Sequence, residues 1–134
     1  MTFDRWTYAA RVVSTHDGDS VRAEIDCGFS VRVTMPLRLL GIQAPEVSGA
    51  GVTAAERHAG LAARDYLRGL FEGTPEVYVR TVRDTAEGRG RYLATVYVVG
   101  ADGVVVDVCA RLIETGHAVA YSGRGKAPRW RAPA

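Results

Sequence analysis

Cysteine is scarce in this chain of 134 residues, in which only Cys27 and Cys109 occur. Two cysteines far apart in the sequence make a poor disulfide framework and cannot hold a structural zinc ion by themselves. We therefore expect two buried or half-buried thiols. Any bound metal ion should be a hard cation that is held by oxygen atoms.

Long apolar runs are also missing, and none approaches the roughly 18–20 residues of a membrane helix. The first ten residues, MTFDRWTYAA, contain no apolar stretch that follows a basic one, so we expect no signal peptide. The expectation is a cytoplasmic protein without a membrane partner. A phage or mobile element is one setting that such a chain suits.

Lys126 is the only lysine of the chain, and the other basic residues, apart from histidines, are arginines. A codon bias toward Arg, Ala, Gly and Val explains this composition as well as function does, so each arginine has to be judged by its position. The net charge is only +2, but positive charge collects at the end of the chain. Residues 122–134 contain no acid and the basic residues Arg124, Lys126, Arg129 and Arg131. This basic tail suits contact with phosphate.

Apolar residues make up 47% of the chain, which is enough to build the core of one domain. We place this domain at residues 1–121. Its helices are marked by Thr53 with Glu56, a capping box, and by Asp107, while Gly73 and Gly116 end them. Strands are expected where β-branched and aromatic residues recur between turn signals. The predicted strands are 6–14, 20–25, 29–39, 76–83 and 91–99, with a short one at 104–106.

The third strand has the clearest pattern, because apolar residues alternate with polar ones from Phe29 to Leu39. Such a period of two predicts a half-buried strand, and Pro36 predicts a bend or a sheet edge. Three strands, a helix, two strands and a second helix follow one another along the chain. This order predicts a mainly β protein with some α structure. We expect a five-stranded OB-fold barrel with one helix between strands 3 and 4 and another after strand 5.

Four short segments contain residues that suit chemistry on phosphate, although none is specific alone. They are residues 17–19, 38–46, 88–94 and 116–121. Phosphodiester hydrolysis needs oxygen ligands for a hard cation, a carboxylate that accepts the proton of water, and cations that stabilise the developing charge. The chain offers oxygen ligands at Asp19, Gln43 and the Ala44 carbonyl. It offers Glu46 as a base, and Arg38 with Arg91 as paired cations.

Over roughly residues 6–121 the chain resembles the staphylococcal nuclease (thermonuclease) family. The resemblance rests on four motifs in this order: HDGDS, RLLGIQAPE, a GR-containing loop before YLATVYV, and LIETGHAVAY. The resemblance implies a Ca²⁺-dependent enzyme that cuts DNA and RNA with little sequence preference and leaves a 3′-phosphate. It implies Asp19 as the first metal carboxylate, Arg38 and Arg91 as catalytic arginines and Glu46 as the base. Tyr121 is implied to lie near the base or the phosphate pocket.

The chain departs from the family pattern at three places. Gln43 stands where an aspartate is typical, which predicts weaker metal binding or a preference for Mg²⁺ or Mn²⁺. The loop that usually reads Lys-Tyr-Gly-Arg is Gly88-Arg89-Gly90-Arg91 here. The spacing to the next strand favours Arg91 as the catalytic arginine, and Arg89 is then expected to contact the substrate. The basic tail replaces a C-terminal helix, and its Trp130 either stacks on a base or covers the barrel.

Three functions remain open at this point. The first is a monomeric, metal-dependent endonuclease that acts on DNA or RNA. The second is an OB-fold module that binds nucleic acid with weak or no catalysis, which Gln43 favours. The third is a protein-interaction scaffold, which has little reason to combine Arg38, Glu46 and Arg91. The histidines, His16, His58 and His117, show no metal-ligand spacing; His58 should be on the surface and His117 should make local contacts.

Overall fold

A computed structural model describes residues 5–73, 75–82, 92–123 and 125–133, and the statements below concern these residues. The helices are α1 (Ala54–Leu70) and α2 (Val108–Glu114). The strands are β1 (Thr7–Asp17), β2 (Ser20–Asp26), β3 (Arg32–Leu39), β4 (Ile42–Gln43), β5 (Glu76–Val82), β6 (Tyr92–Val99), β7 (Val105–Asp107) and β8 (Val119–Ala120).

Five of these strands close into a barrel. The sheet order is β3-β2-β1-β5-β6-β7, and an additional parallel pairing joins β3 to β6. In that pairing Arg38 lies beside Leu93 and Leu39 beside Ala94. The prediction of a five-stranded OB-type barrel with two helices is therefore confirmed. The small strands β4 and β8 pair with each other outside the barrel sheet and were not predicted.

The barrel core is filled by the inward side chains of the strands and closed by the two helices. Leu37 and Val79 are completely buried between the strands, while Leu67 of α1 and Leu112 of α2 cover the ends of the core. Burial of an aliphatic side chain of this size contributes roughly 1.5–3 kcal/mol. These contacts keep the strand ends near α1 at fixed positions.

Both predicted helix starts are confirmed. The Thr53 hydroxyl accepts a hydrogen bond from the Glu56 backbone N–H at 3.1 Å, and the Asp107 carboxylate accepts one from the Ala110 N–H at 3.1 Å. Gly73 and Gly116, at φ 77° in both cases, follow the last helical turns. Neither helix has the length and apolar character that crossing a bilayer would require, as far as the described residues go.

The first part of the predicted third strand is wrong. Phe29 and Ser30 have φ values of 54° and 61° and form a turn, so β3 begins only at Arg32. The Phe29 side chain is fully exposed and Val33 is 38% exposed. Alternation shows which residues share a face of a strand, but not where that face leaves the core. Ile25 on β2 is still buried, whereas its partner Val33 is partly exposed and the turn beyond it is fully exposed. Pro36 lies just before the rungs shared with β6, which agrees with the predicted edge position.

The two cysteines differ in their surroundings. Cys109 is buried, as predicted, and burial together with the negative charge of Asp107 raises the pKa of its thiol to about 11. Cys27 is exposed beside the turn of the β2–β3 ribbon, so the prediction of a buried or half-buried thiol is wrong there. The reason is the same, because the core of the barrel does not reach this turn.

Candidate functional site

The site begins at the turn between β1 and β2. The Asp17 carboxylate oxygen Oδ1 accepts hydrogen bonds from the Asp19 backbone N–H at 3.1 Å and from the Ser20 hydroxyl at 2.7 Å. A Cβ atom on Gly18 would lie 2.6 Å from the Ala63 Cβ and 2.9 Å from the Ala44 Cβ. Glycine is therefore required, because α1 and the segment that follows β4 both approach this turn.

Arg38 extends from β3 into this corner, and its side chain is only 13% exposed. Its guanidinium donates to the backbone carbonyls of Asp19 and Ile42, each at 2.9 Å, and more weakly to its neighbour Leu39 at 3.3 Å. It also donates to the Gln43 side-chain oxygen at 2.9 Å. Arg38 is thus a largely buried residue that joins two loops, not a solvated arginine on a polar strand face.

Asp19 lies beside Arg38, but the negative charge of its carboxylate is poorly compensated by nearby positive charge. Its Oδ2 accepts the Ala44 N–H at 2.9 Å and lies 3.5 Å from the Arg38 Nη1. The pKa of Asp19 is raised to about 7, chiefly by burial; the positive charge of Arg38 lowers it, and the negative charge of Asp17 raises it. Arg38 does not prevent this because its best-placed hydrogen bonds go to carbonyl and amide oxygens.

Asp17 behaves differently although it is also largely buried. Burial by itself would raise its pKa, but hydrogen bonds from Asp19 and Ser20 outweigh that effect and lower the pKa. Two neighbouring carboxyl groups thus share this turn, and Asp19 is the member that the fold leaves short of positive charge.

Gln43 continues the polar network from Arg38 toward Glu46. Its amide nitrogen Nε2 donates to Glu46 Oε1 at 3.1 Å, and the Ala44 carbonyl lies 3.4 Å from the same nitrogen. Glu46 is exposed to solvent, unlike Asp19, which is 7% exposed. The network therefore runs from a buried carboxylate to one that water can reach.

The backbone at Glu46 is fixed by α1. A Cβ atom on Gly60 would lie 2.8 Å from the carbonyl oxygens of both Pro45 and Glu46. The Glu46 N–H donates to the Glu56 carboxylate at 3.1 Å. Glu56 thus completes only half of the predicted capping box: its N–H binds Thr53, while its carboxylate binds the loop.

Gly60 and Glu56 are positioning residues that sequence reasoning missed. A signal for Gly60 was available, because glycine inside a helix costs roughly 1 kcal/mol relative to alanine and often marks a close approach. No comparable signal exists for the Glu56 carboxylate, because a capping box gives it a different partner.

The predicted ligand residues Asp19, Gln43 and Ala44 lie close together, and oxygen is the ligand atom that a hard cation prefers. In this structure their oxygens do not face one common point: the Asp19 Oδ2 accepts the Ala44 N–H, the Ala44 carbonyl faces the Gln43 amide nitrogen, and the Gln43 oxygen accepts from Arg38. Only Asp19 in this set carries charge, and the Gln43 oxygen is already bonded to Arg38. Within the described part of the chain, no cluster of three or more His, Cys, Asp and Glu residues could hold a metal ion.

The remaining predicted site residues are less fully placed. Arg89 and Arg91 lie outside the described residues. Tyr121 follows β8 and is half-buried; its N–H donates to the Gly41 carbonyl and its hydroxyl to the Gly125 carbonyl, both at 2.9 Å. Tyr121 therefore joins the barrel to the start of the basic tail.

The histidines follow expectation. The His117 ring stacks on Tyr66, with centroids 4.4 Å apart, and its Nδ1 lies 2.8 Å from the Thr115 hydroxyl. His58 is exposed on α1. Neither residue takes part in the network around Arg38.

Residues 127–133 of the basic tail lie opposite the loop that carries Glu46, and the two line a groove of about 750 Å³. The groove is lined by Glu46 and Val52 on the loop side, by His117 and Val119 below, and by Trp130 on the tail side. Trp130 is half-buried. Because part of its indole remains accessible in the groove, stacking of Trp130 on a base stays a prediction.

The sequence matches no model of a known protein family, and no curated protein matches it either. Membership of the staphylococcal nuclease family therefore stays a prediction that rests on the four motifs.

Proposed function

We propose that this protein is a divalent-metal-dependent endonuclease that hydrolyses phosphodiester bonds of DNA, RNA or both. The observation that carries the proposal is the continuous polar network from Asp19 through Arg38 and Gln43 to Glu46. It combines at one corner of the barrel a carboxylate short of positive charge, a largely buried arginine and a solvent-accessible carboxylate. A module that only binds phosphate needs the cation but neither carboxylate.

Each residue has a role in this proposal. Glu46 accepts a proton from the attacking water, and Gln43 orients the Glu46 carboxylate through the 3.1 Å hydrogen bond. Arg38 stabilises negative charge on the phosphate oxygens, with Arg91 as the second cation. Asp19, Gln43 and the Ala44 carbonyl would hold the cation. A bound divalent ion supplies charge neutralisation at a phosphate oxygen.

The metal preference follows from the ligand charge. The resemblance implies Ca²⁺, but Asp19 is the one charged ligand of the set, and the Gln43 oxygen accepts a hydrogen bond from Arg38. We expect weak Ca²⁺ binding, with Mg²⁺ or Mn²⁺ as the alternatives. The proposal also includes a monomer, nucleic acid as the partner, a role for Arg89 and Tyr121 in substrate contacts, and a cytoplasmic location.

A second candidate is an OB-fold module that binds nucleic acid with little or no cleavage. It is favoured by one observation: Arg38 already engages the Gln43 oxygen, and Gln43 brings no charge to a metal set in which Asp19 is the one charged member. The two candidates differ in what Glu46 does, because only the enzyme uses it as a base.

The test is cleavage of plasmid DNA, single-stranded DNA and RNA with Ca²⁺, Mg²⁺, Mn²⁺ or chelator. We expect metal-dependent cleavage that falls by at least about a hundredfold in Glu46→Gln, the usual scale for a general base. Binding of nucleic acid should persist in that variant. Glu72→Gln, at an exposed position just after α1, is the matched control.

Arg38→Ala and Arg91→Ala should also abolish cleavage. Arg68→Ala is the control for Arg38→Ala. Like Arg38, Arg68 donates to a backbone carbonyl and to a side-chain oxygen, here both of Thr15, but it lies outside the network. Salt-sensitive binding without cleavage under any metal would support the binding module and overturn the enzyme.

A further inference from the structure

The groove beside Glu46 has walls of opposite charge. Arg129 and Arg131 on the tail side are exposed. Neither forms an ion pair within 4.0 Å with any carboxylate of the described residues. On the loop side, Glu46 and Glu56 line the groove. Cations that lack an internal partner are available to a negatively charged ligand.

Trp130 gives this groove an aromatic wall between the two arginines. Trp130 is half-buried and lines the groove, so part of its indole remains accessible. Aromatic side chains flanked by cations are the usual means of holding single-stranded nucleic acid, because every base has a face that stacks and every linkage has a charged phosphate. The groove volume of about 750 Å³ lies within the range of roughly 300–1,000 Å³ that small-molecule-sized ligands occupy.

We propose that this groove binds an unpaired nucleotide next to the cleaved linkage, with its base against Trp130 and its phosphates along Arg129 and Arg131. The inference rests on the proposed function, because the substrate class is that of the same site. The flanking phosphates follow the tail wall at Arg129 and Arg131, because Glu46 and Glu56 on the opposite wall would repel them; only the cleaved linkage approaches Glu46. A base in a duplex cannot enter, so single-stranded or frayed nucleic acid is the preferred substrate.

The first experiment measures binding without cleavage, by fluorescence anisotropy of labelled oligonucleotides with the full chain in chelator. The probes are a twelve-residue oligothymidine, an abasic strand of equal length and a blunt hairpin duplex. We expect the oligothymidine to bind best. Trp130→Ala should weaken its binding by about tenfold, the scale of one base–aromatic stack, and should leave binding of the abasic strand unchanged.

Trp6→Ala is the matched control, because Trp6 is the other tryptophan, is 62% exposed and does not line the groove. Trp130→Phe should restore part of the affinity. In Trp6→Phe, Trp130 is the only fluorophore of its kind, and saturating oligothymidine should quench its emission. This last measurement needs no change in the groove itself.

Equal binding of oligothymidine and the abasic strand, or no effect of Trp130→Ala, would overturn the inference. Removal of residues 127–134 should weaken binding; tighter binding or faster cleavage after the removal would show that the tail obstructs the groove, and would also overturn it. Trp130-dependent binding without metal-dependent cleavage would support the groove while refuting the enzyme. Cleavage of duplex and single strands at equal rates, unchanged in Trp130→Ala, would support the enzyme and refute the proposed binding of a base in the groove.

Discussion

At one end of the β2–β3 ribbon Val21 lies beside Leu37 in the barrel core; toward the other end Ile25 is still buried, but its partner Val33 is 38% exposed. The same two strands pair in continuous register along both ends. At the first end β6 pairs with β3, α1 approaches the turn between β1 and β2, and the polar network forms. At the second, projecting end the ribbon closes in a turn with a fully exposed Phe29. Tertiary cover, rather than the strand itself, therefore decides which end can hold a buried, preorganised site.

The largest expected contrast is in stability. Leu37→Ala should lower the free energy of unfolding by about 2–5 kcal/mol, because it leaves a cavity in the covered end. Val33→Ala at the projecting end should cost less than about 1 kcal/mol. Urea unfolding of both variants measures the difference. Similar costs at the two positions would show that the projecting end is also covered in solution.

A second contrast lies in the two glycines of α1. Gly60→Ala should destabilise the fold by about 1–3 kcal/mol and slow cleavage by about tenfold, because the new methyl group meets the carbonyls of Pro45 and Glu46 and displaces Glu46. Gly69→Ala should stabilise the helix by about 0.5–1 kcal/mol with unchanged cleavage, because its Cβ would enter open space. Thermal unfolding and cleavage rates of the pair separate displacement from helix propensity. Full activity in Gly60→Ala would argue against a fixed Glu46.

A substitution in the turn at the projecting end of the ribbon should increase the stability of the fold. Phe29 is fully exposed and has a φ of 54°, a conformation that asparagine adopts more readily. Phe29→Asn is expected to raise stability by about 0.5–1 kcal/mol and to leave cleavage unchanged. A loss of stability, measured by thermal unfolding, would indicate that Phe29 has a packing partner in solution.

The smallest contrast is chemical. At pH 8 a thiol reagent should modify exposed Cys27 quickly. Cys109 should react only after unfolding, because burial shields it and raises its pKa to about 11, so that almost no thiolate is present. Reactivity of Cys109 should rise with pH as the thiolate forms. Cys27→Ser should remove the fast phase, and a fast phase that persisted would place Cys109 at the surface.

The sequence predicted the features that depend on neighbouring residues. Thr53 and Asp107 cap helices through contacts within three residues, and Gly116 ends a helix through its own backbone conformation. The order of these elements was enough to predict the barrel. What covers the apolar face at Val33 depends on distant strands, and alternation alone does not contain that information.

The sequence predicted that four residues of the candidate site lie together, but it did not predict their contacts. Asp19, Arg38, Gln43 and Glu46 are brought together as expected from their motifs. The burial of Arg38 and the direction of the Gln43 amide depend on how the loop after β4 packs against α1, which no local pattern encodes.

The hydrogen bond from the Glu46 N–H to the Glu56 carboxylate has a practical consequence for engineering. It anchors both ends of the segment 47–52, whose central residues 48–51 are exposed and include two glycines at positive φ. Lengthening such a loop costs little, roughly 0.6 kcal/mol for each doubling. A peptide inserted at Gly49–Ala50 should therefore reshape the mouth of the groove while Glu46 stays in place, which makes this loop a natural point for changing substrate choice.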